Sequence, residues 1–121
     1  MPIIFVYGLP EVLPEPHLVC LYESICDAVV TIPELELTKN QVTVFFPPDR
    51  MKMDLGKEVI INIFGLFNKP ERTPEVRLAL AESVKAAVVT VLNDWRICPE
   101  LVECFIDLFD PTQGFAQFKK E

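Results

Sequence analysis

The chain is short of the features that most directly betray a function. Its 121 residues include a single histidine, one tryptophan and only four glycines. No glycine-rich phosphate loop and no nucleophile elbow can be found, so nucleotide-cradling and serine-hydrolase chemistry have no carrier. Positive charge is scarce as well: 11 Lys and Arg stand against 18 Asp and Glu, for a net charge of −7. A basic stripe for phosphate contacts is missing, which argues against nucleic acid as a partner. The same charge gives no long-range attraction for anions, so an anion site would have to be a local cluster. No apolar run approaches the roughly 18 residues of a membrane span, and no basic signal-peptide head precedes the first strand. We therefore expect no membrane partner and a cytoplasmic protein.

Cysteine is present but spaced against metal binding. Cys20, Cys26, Cys98 and Cys104 form no C-x-x-C pair, and His17 is the lone imidazole. No metal site and no cofactor are expected, and the thiols are expected to be free and mostly buried. What the chain has in plenty is apolar surface. Half of its residues are hydrophobic and mean hydropathy is +0.30. One domain of this size leaves a large fraction of its surface exposed. The excess suggests that another copy of the chain covers part of it.

The residues 2–9 read as a strand whose positions 3 to 7 are all apolar, so both faces should be buried. Leu18, Leu21, Tyr22, Ile25, Val29 and Ile32 step by three and four along a helix from about Glu15. Strands are expected over 41–46, 58–67 and 101–109, with a loop at 49–56 and a turn at 110–114. Thr73 is a fitting N-cap for a second helix, with Pro74 at its first position and Glu75 at the positive end of the dipole. Its stripe is Val76, Leu80, Val84, Val88 and Val91, and Trp95 should pack its exit onto the sheet.

The two halves repeat. Ile3-Ile4-x-Val6-Tyr7-Gly8-Leu9 aligns with Ile60-Ile61-x-Ile63-Phe64-Gly65-Leu66 at an offset of 57. Glu23-Ser24-Ile25 and Ala28–Ile32 align with Glu82-Ser83-Val84 and Ala87–Val91 at 59, and Val42 and Phe45 with Val102 and Phe105 at 60. A duplicated β-α-β unit follows, as one domain of two repeats, about 2–56 and 57–118. The fold class is α/β (strictly α+β-like): a four-stranded mixed sheet with both helices on one face, because crossovers are right-handed. The opposite face is left bare although its strands are apolar. A cyclic oligomer with sheets facing inward is the economical cover; composition does not choose between two and three subunits.

Pro2 is the sharpest chemical candidate. If Met1 is removed, Pro2 is a secondary amine at the tip of a buried strand, and desolvation disfavours its protonated form, lowering its pKa towards neutrality. Such a base suits proton transfer at carbon next to a carbonyl. If Met1 stays, Pro2 is a tertiary amide with no basic nitrogen. The cations Lys39, Arg50, Lys52, Lys69 and Arg72 are candidates for gripping a carboxylate or polarising a carbonyl, across a subunit boundary if need be. Glu103 and Asp107 share a face of an otherwise apolar strand.

Met-Pro at the head of a strand, with a duplicated β-α-β unit of about sixty residues, resembles the tautomerase superfamily. The likeness is to its two-unit members, the 5-carboxymethyl-2-hydroxymuconate isomerases and the macrophage migration inhibitory factors. The closing Pro111-Thr112-x-x-Phe115 is similar to the isomerase tail, and Val44-Phe45-Phe46-Pro47-Pro48-Asp49-Arg50-Met51 to the inhibitory-factor segment after its second strand. The resemblance implies a homotrimer with inward-facing sheets and sites near subunit boundaries. It also implies a proline that moves a proton on an unsaturated oxo-acid or enol. Pro2 matches that proline, Lys39 falls where the muconate isomerases place an arginine, and Arg72 resembles the carboxylate-binding arginine of single-unit members. Phe115 resembles the aromatic wall that excludes water. Glu11, Thr43 and Glu103 stand where the family carries further arginines, which favours a less charged substrate than a dicarboxylate. The rival expectation is a non-catalytic trimer of the same fold that serves structure or binding.

Overall fold

The computed structural model describes residues 2–48 and 57–120. Its elements run β1 (Ile3–Tyr7), α1 (Glu15–Val30), β2 (Thr43–Phe45), β3 (Glu58–Phe67), α2 (Pro74–Asp94) and β4 (Leu101–Phe109). The sheet order is β2-β1-β3-β4. Each repeat pairs its own strands in parallel, β1 with β2 and β3 with β4, and the repeats meet antiparallel at β1 and β3. The sheet is therefore mixed, and the repeat boundary is its centre.

Side chains alternate across the pleat, so each strand divides its apolar residues between two faces. Ile4 and Val6 on β1 and Val59, Ile61 and Ile63 on β3 are buried under the helices. They meet Leu21, Ile25 and Val29 of α1 and Leu80, Val84 and Val88 of α2 in one core cluster. Burying each of these side chains contributes about 1.5–3 kcal/mol. Both helices lie on this face, as the right-handed crossover requires. The opposite face carries Phe5, Tyr7, Phe45, Phe64 and Phe105; Phe5 stacks on Phe45 at 5.3 Å and on Tyr7 at 5.9 Å, and meets Phe64 edge-on at 5.7 Å. Tyr7, Phe45 and Phe105 are exposed in the single chain.

The aligned glycines of the repeat share a backbone role. Gly8 and Gly65 both have positive φ, 91° and 71°. At Gly8 a Cβ would lie 2.1 Å from the Glu58 carbonyl oxygen, so the antiparallel approach of β3 leaves no room for a side chain. Gly65 sits where the β3–β4 register shifts between Ile63 and Leu66, a bulge that turns the strand's end.

Some expected boundaries move. The second strand is three residues rather than six, because Thr38 and Gln41 form a reciprocal capping box that draws Lys39–Gln41 into a 3-10 turn. The first helix stops at Val30, where the Thr31 hydroxyl donates to the Ala28 carbonyl at 2.7 Å. Trp95, expected to pack the exit of α2 onto the sheet, lies half-buried against the core cluster, and its ring meets His17 of α1 at 4.6 Å. All four cysteines are free, but only Cys26 is buried; Cys104 is half-buried, and Cys20 and Cys98 are exposed. No helix among the described residues is long and apolar enough to cross a membrane. The expected loop at 49–56, with Arg50 and Lys52, lies outside the described residues, as does Met1.

Candidate active site

Because the repeats run antiparallel, the start of β1 lies beside the ends of β3 and β4. Ile3 faces Phe64 across the β1–β3 pair, and Phe67 faces Phe109 across the β3–β4 pair. The start of α2 and the segment between α1 and β2 reach the same end of the sheet. The four residues singled out from the sequence, Pro2, Lys39, Arg72 and Phe115, therefore all belong to one end of the domain. They do not all face one cavity.

The cavity at this end has a volume of about 470 Å³ and is walled by Ile3, Gly65, Phe67, Phe109 and the tail residues 114–117. Three phenylalanines form an aromatic box. Phe67 and Phe109 are 6.0 Å apart, and Phe115 stands edge-on to both, at 5.0 Å and 6.2 Å. Edge-to-face geometry is a favoured arrangement for such rings.

A small turn delivers Phe115 to the box. The Asp110 carboxylate accepts from the Thr112 amide at 3.0 Å and from the Thr112 hydroxyl at 2.7 Å. These bonds favour the charged form and hold the Asp110 carboxyl below its ordinary value. A 3-10 turn at Pro111–Gln113 follows, and Gly114, at φ 118°, reverses the chain. The Asn68 amide donates to the Phe109 carbonyl at 2.8 Å, tying the ends of β3 and β4 together beneath the box.

Pro2 is buried at the mouth of β1, next in sequence to the pocket-lining Ile3. Its carbonyl accepts from the Thr43 amide at 3.2 Å, which extends the β1–β2 pairing and fixes the residue's place.

Arg72 behaves differently from an open-site cation. It is 6% exposed. Its guanidinium donates through Nη1 to the Phe67 carbonyl at 2.7 Å and through Nη2 to the Leu35 carbonyl at 3.1 Å. Burial pulls its pKa below the ordinary arginine value, against the opposing pull of Glu71 and Glu36. It thus ties the end of β3, from behind the aromatic box, to the segment that follows α1. Lys39 is exposed and pairs with Asp27 of α1 at 2.5 Å, which raises its pKa. Neither cation lines the pocket.

Phe67 and Phe109, two walls of the box, did not emerge as site residues from the sequence. Their signal was there: each closes a strand, and the two strands belong to the same β-α-β unit.

No protein-family model matches the chain, and no curated protein matches it. Solved structures do match in shape. A fused 4-OT wild-type asymmetric trimer superposes with a TM-score of 0.70 at 15% identity, covering 94% of this chain and 91% of that one. A 5-carboxymethyl-2-hydroxymuconate delta-isomerase superposes with a TM-score of 0.69 at 15% identity, covering 98% and 89%. The chain has the tautomerase fold. A probable enzyme from Aspergillus fumigatus is similar too, with a TM-score of 0.63 at 16% identity over 94% of this chain and 79% of that one. At these identities the likeness is one of tautomerase architecture, carried by the duplicated unit rather than by side chains.

Proposed function

We propose that the protein is a cytoplasmic, homotrimeric tautomerase or isomerase that uses Pro2, freed by removal of Met1, as its general acid and base. The observation that carries this reading is the aromatic pocket lying at the Pro2 end of β1 in a tautomerase fold. A secondary amine there can take a proton from carbon next to a carbonyl and return it at oxygen or at another carbon. The phenylalanine walls, Phe115 among them, enclose the substrate around that carbon. Trimer formation is supported by the bare aromatic sheet face, which a second and third copy would cover, and by the trimeric state of the fused 4-OT neighbours.

The expected partners of Pro2 divide. Lys39 is exposed, so a role across a subunit boundary is open to it once it leaves Asp27. Arg72 has two of its donors engaged by main-chain carbonyls, a geometry suited to bracing the pocket wall.

The test is hydrogen–deuterium exchange at the carbon next to the carbonyl of phenylacetone and of phenylpyruvate in D2O, followed by NMR. Wild-type protein should accelerate exchange of at least one of them, and Pro2→Ala should lose on the order of 10²-fold or more of that rate with the trimer intact. Equal rates for the two proteins would remove Pro2 from the chemistry. No acceleration by either would favour a trimer that serves structure or binding.

A further inference from the structure

The walls of the pocket restrict what it can hold. Ile3 and the three phenylalanines make them apolar, and Gln117 is the one polar side chain among the described walls. No described wall residue is charged. Phe67 and Phe109 are tilted by 42°, and Phe115 meets them at 71° and 77°. An inserted aromatic ring would therefore find both ring faces and ring edges, the two contacts such rings prefer.

Neither Arg72 nor Lys39 adds a charge to these walls. Arg72 turns its guanidinium to the Phe67 and Leu35 carbonyls, and Lys39 is paired with Asp27. A carboxylate buried in the box would lose its hydration and gain no opposite charge from the described walls. The chain's net charge of −7 works against its approach as well.

We propose that this pocket takes an uncharged aryl carbonyl compound, with the ring inside the phenylalanine box and the carbonyl within reach of the Gln117 amide, and that it selects against the oxo-acid of equal size. The inference deepens the proposed function, and rests on it only for turnover. In that turnover the Pro2 nitrogen accepts the proton from the carbon between ring and carbonyl. The C–H electron pair becomes the C=C bond of the enol while the carbonyl oxygen gains a proton from solvent. The reverse steps return the ketone, and nothing is oxidised or reduced.

Phenylacetone and phenylpyruvate form a matched pair for the test, since they share a benzyl ketone and differ by methyl against carboxylate. Each is titrated into wild-type protein and into Pro2→Ala while the NMR resonances of Gly114, Phe115 and Ala116 are followed. Phenylacetone should bind on the order of tenfold or more tightly than phenylpyruvate in both proteins, with shifts at those residues. Phe115→Ala, at a position 38% exposed in the tail, should weaken phenylacetone by roughly tenfold. Gln117→Lys, which adds a cation to the wall, should shift the preference towards phenylpyruvate. Retained selectivity with no exchange in D2O would sink the catalytic reading and leave the ligand class standing. Phenylpyruvate binding as tightly as phenylacetone in wild-type protein, or shifts mapping away from residues 114–116, would overturn the ligand class.

Discussion

Replacing Arg72 with methionine removes a guanidinium from a nearly closed site while keeping most of the apolar stem. The Phe67 and Leu35 carbonyls, bonded at 2.7 Å and 3.1 Å, are then left without these donors. A hydrogen bond from a charged group contributes about 1.5–3 kcal/mol, so the gross loss is about 3–6 kcal/mol. Part of this is offset, because the guanidinium is desolvated in the folded state and its Nε has no described partner. A net destabilisation of about 2–4 kcal/mol remains. With a urea slope of about 1–3 kcal/mol/M, the unfolding midpoint should fall by on the order of 1–2 M. Trp95, half-buried at the end of α2, supplies the fluorescence signal, and protein concentration must be held fixed because assembly adds to apparent stability. Arg72→Lys should recover only part of the loss, since one ammonium cannot reproduce the planar fork. A midpoint for Arg72→Met within about 0.2 M of wild type would refute the brace and return the arginine to the list of substrate contacts.

Other outcomes follow from the same geometry. Gly8→Ala should destabilise by about 3 kcal/mol or more, because a Cβ would meet the Glu58 carbonyl at 2.1 Å and φ is 91°; denaturant unfolding measures it. Gly114→Ala meets open space and only positive φ, so it should cost about 1 kcal/mol, and a shifted Phe115 resonance should accompany it. Asp110 has its carboxyl held low in the folded chain, so its stabilising effect is present above the unfolded pKa and is lost as pH falls through the folded one. The Phe115 resonances should report that loss in acid, and Asp110→Ala should abolish the transition. Burial pushes the Cys104 thiol up to about 12 and raises Cys26 as well, whereas Cys20 and Cys98 are exposed. A thiol reagent at pH 8 should accordingly label Cys20 and Cys98 quickly, and the other two only on unfolding.

The architecture was legible because it is written twice. Matching segments around Gly8 and Gly65 announced two strands with the same turn of backbone, and both glycines prove to need positive φ. The stripe from Leu80 to Val91 lay on one helical face and is buried as a unit. Local competition hid the rest. The run 41–46 looks like a strand by composition, but the Thr38 capping box takes its first residue, Gln41, into a 3-10 turn. Arg72 looks like a surface cation because its partners are carbonyls, one of them from a residue 37 positions away, and carbonyls leave no mark in a sequence. The box was half visible: Phe115 was marked by the tail, while Phe67 and Phe109 meet it only through the parallel register of β3 and β4.

Everything proposed for Pro2 depends on its nitrogen being an amine. An intact mass spectrum of the natively expressed protein tests this without a substrate or a variant. The expected mass is that of residues 2–121, with Met1 absent and the proline nitrogen free. A mass that includes Met1 would make Pro2 an amide and contradict a proline-based mechanism.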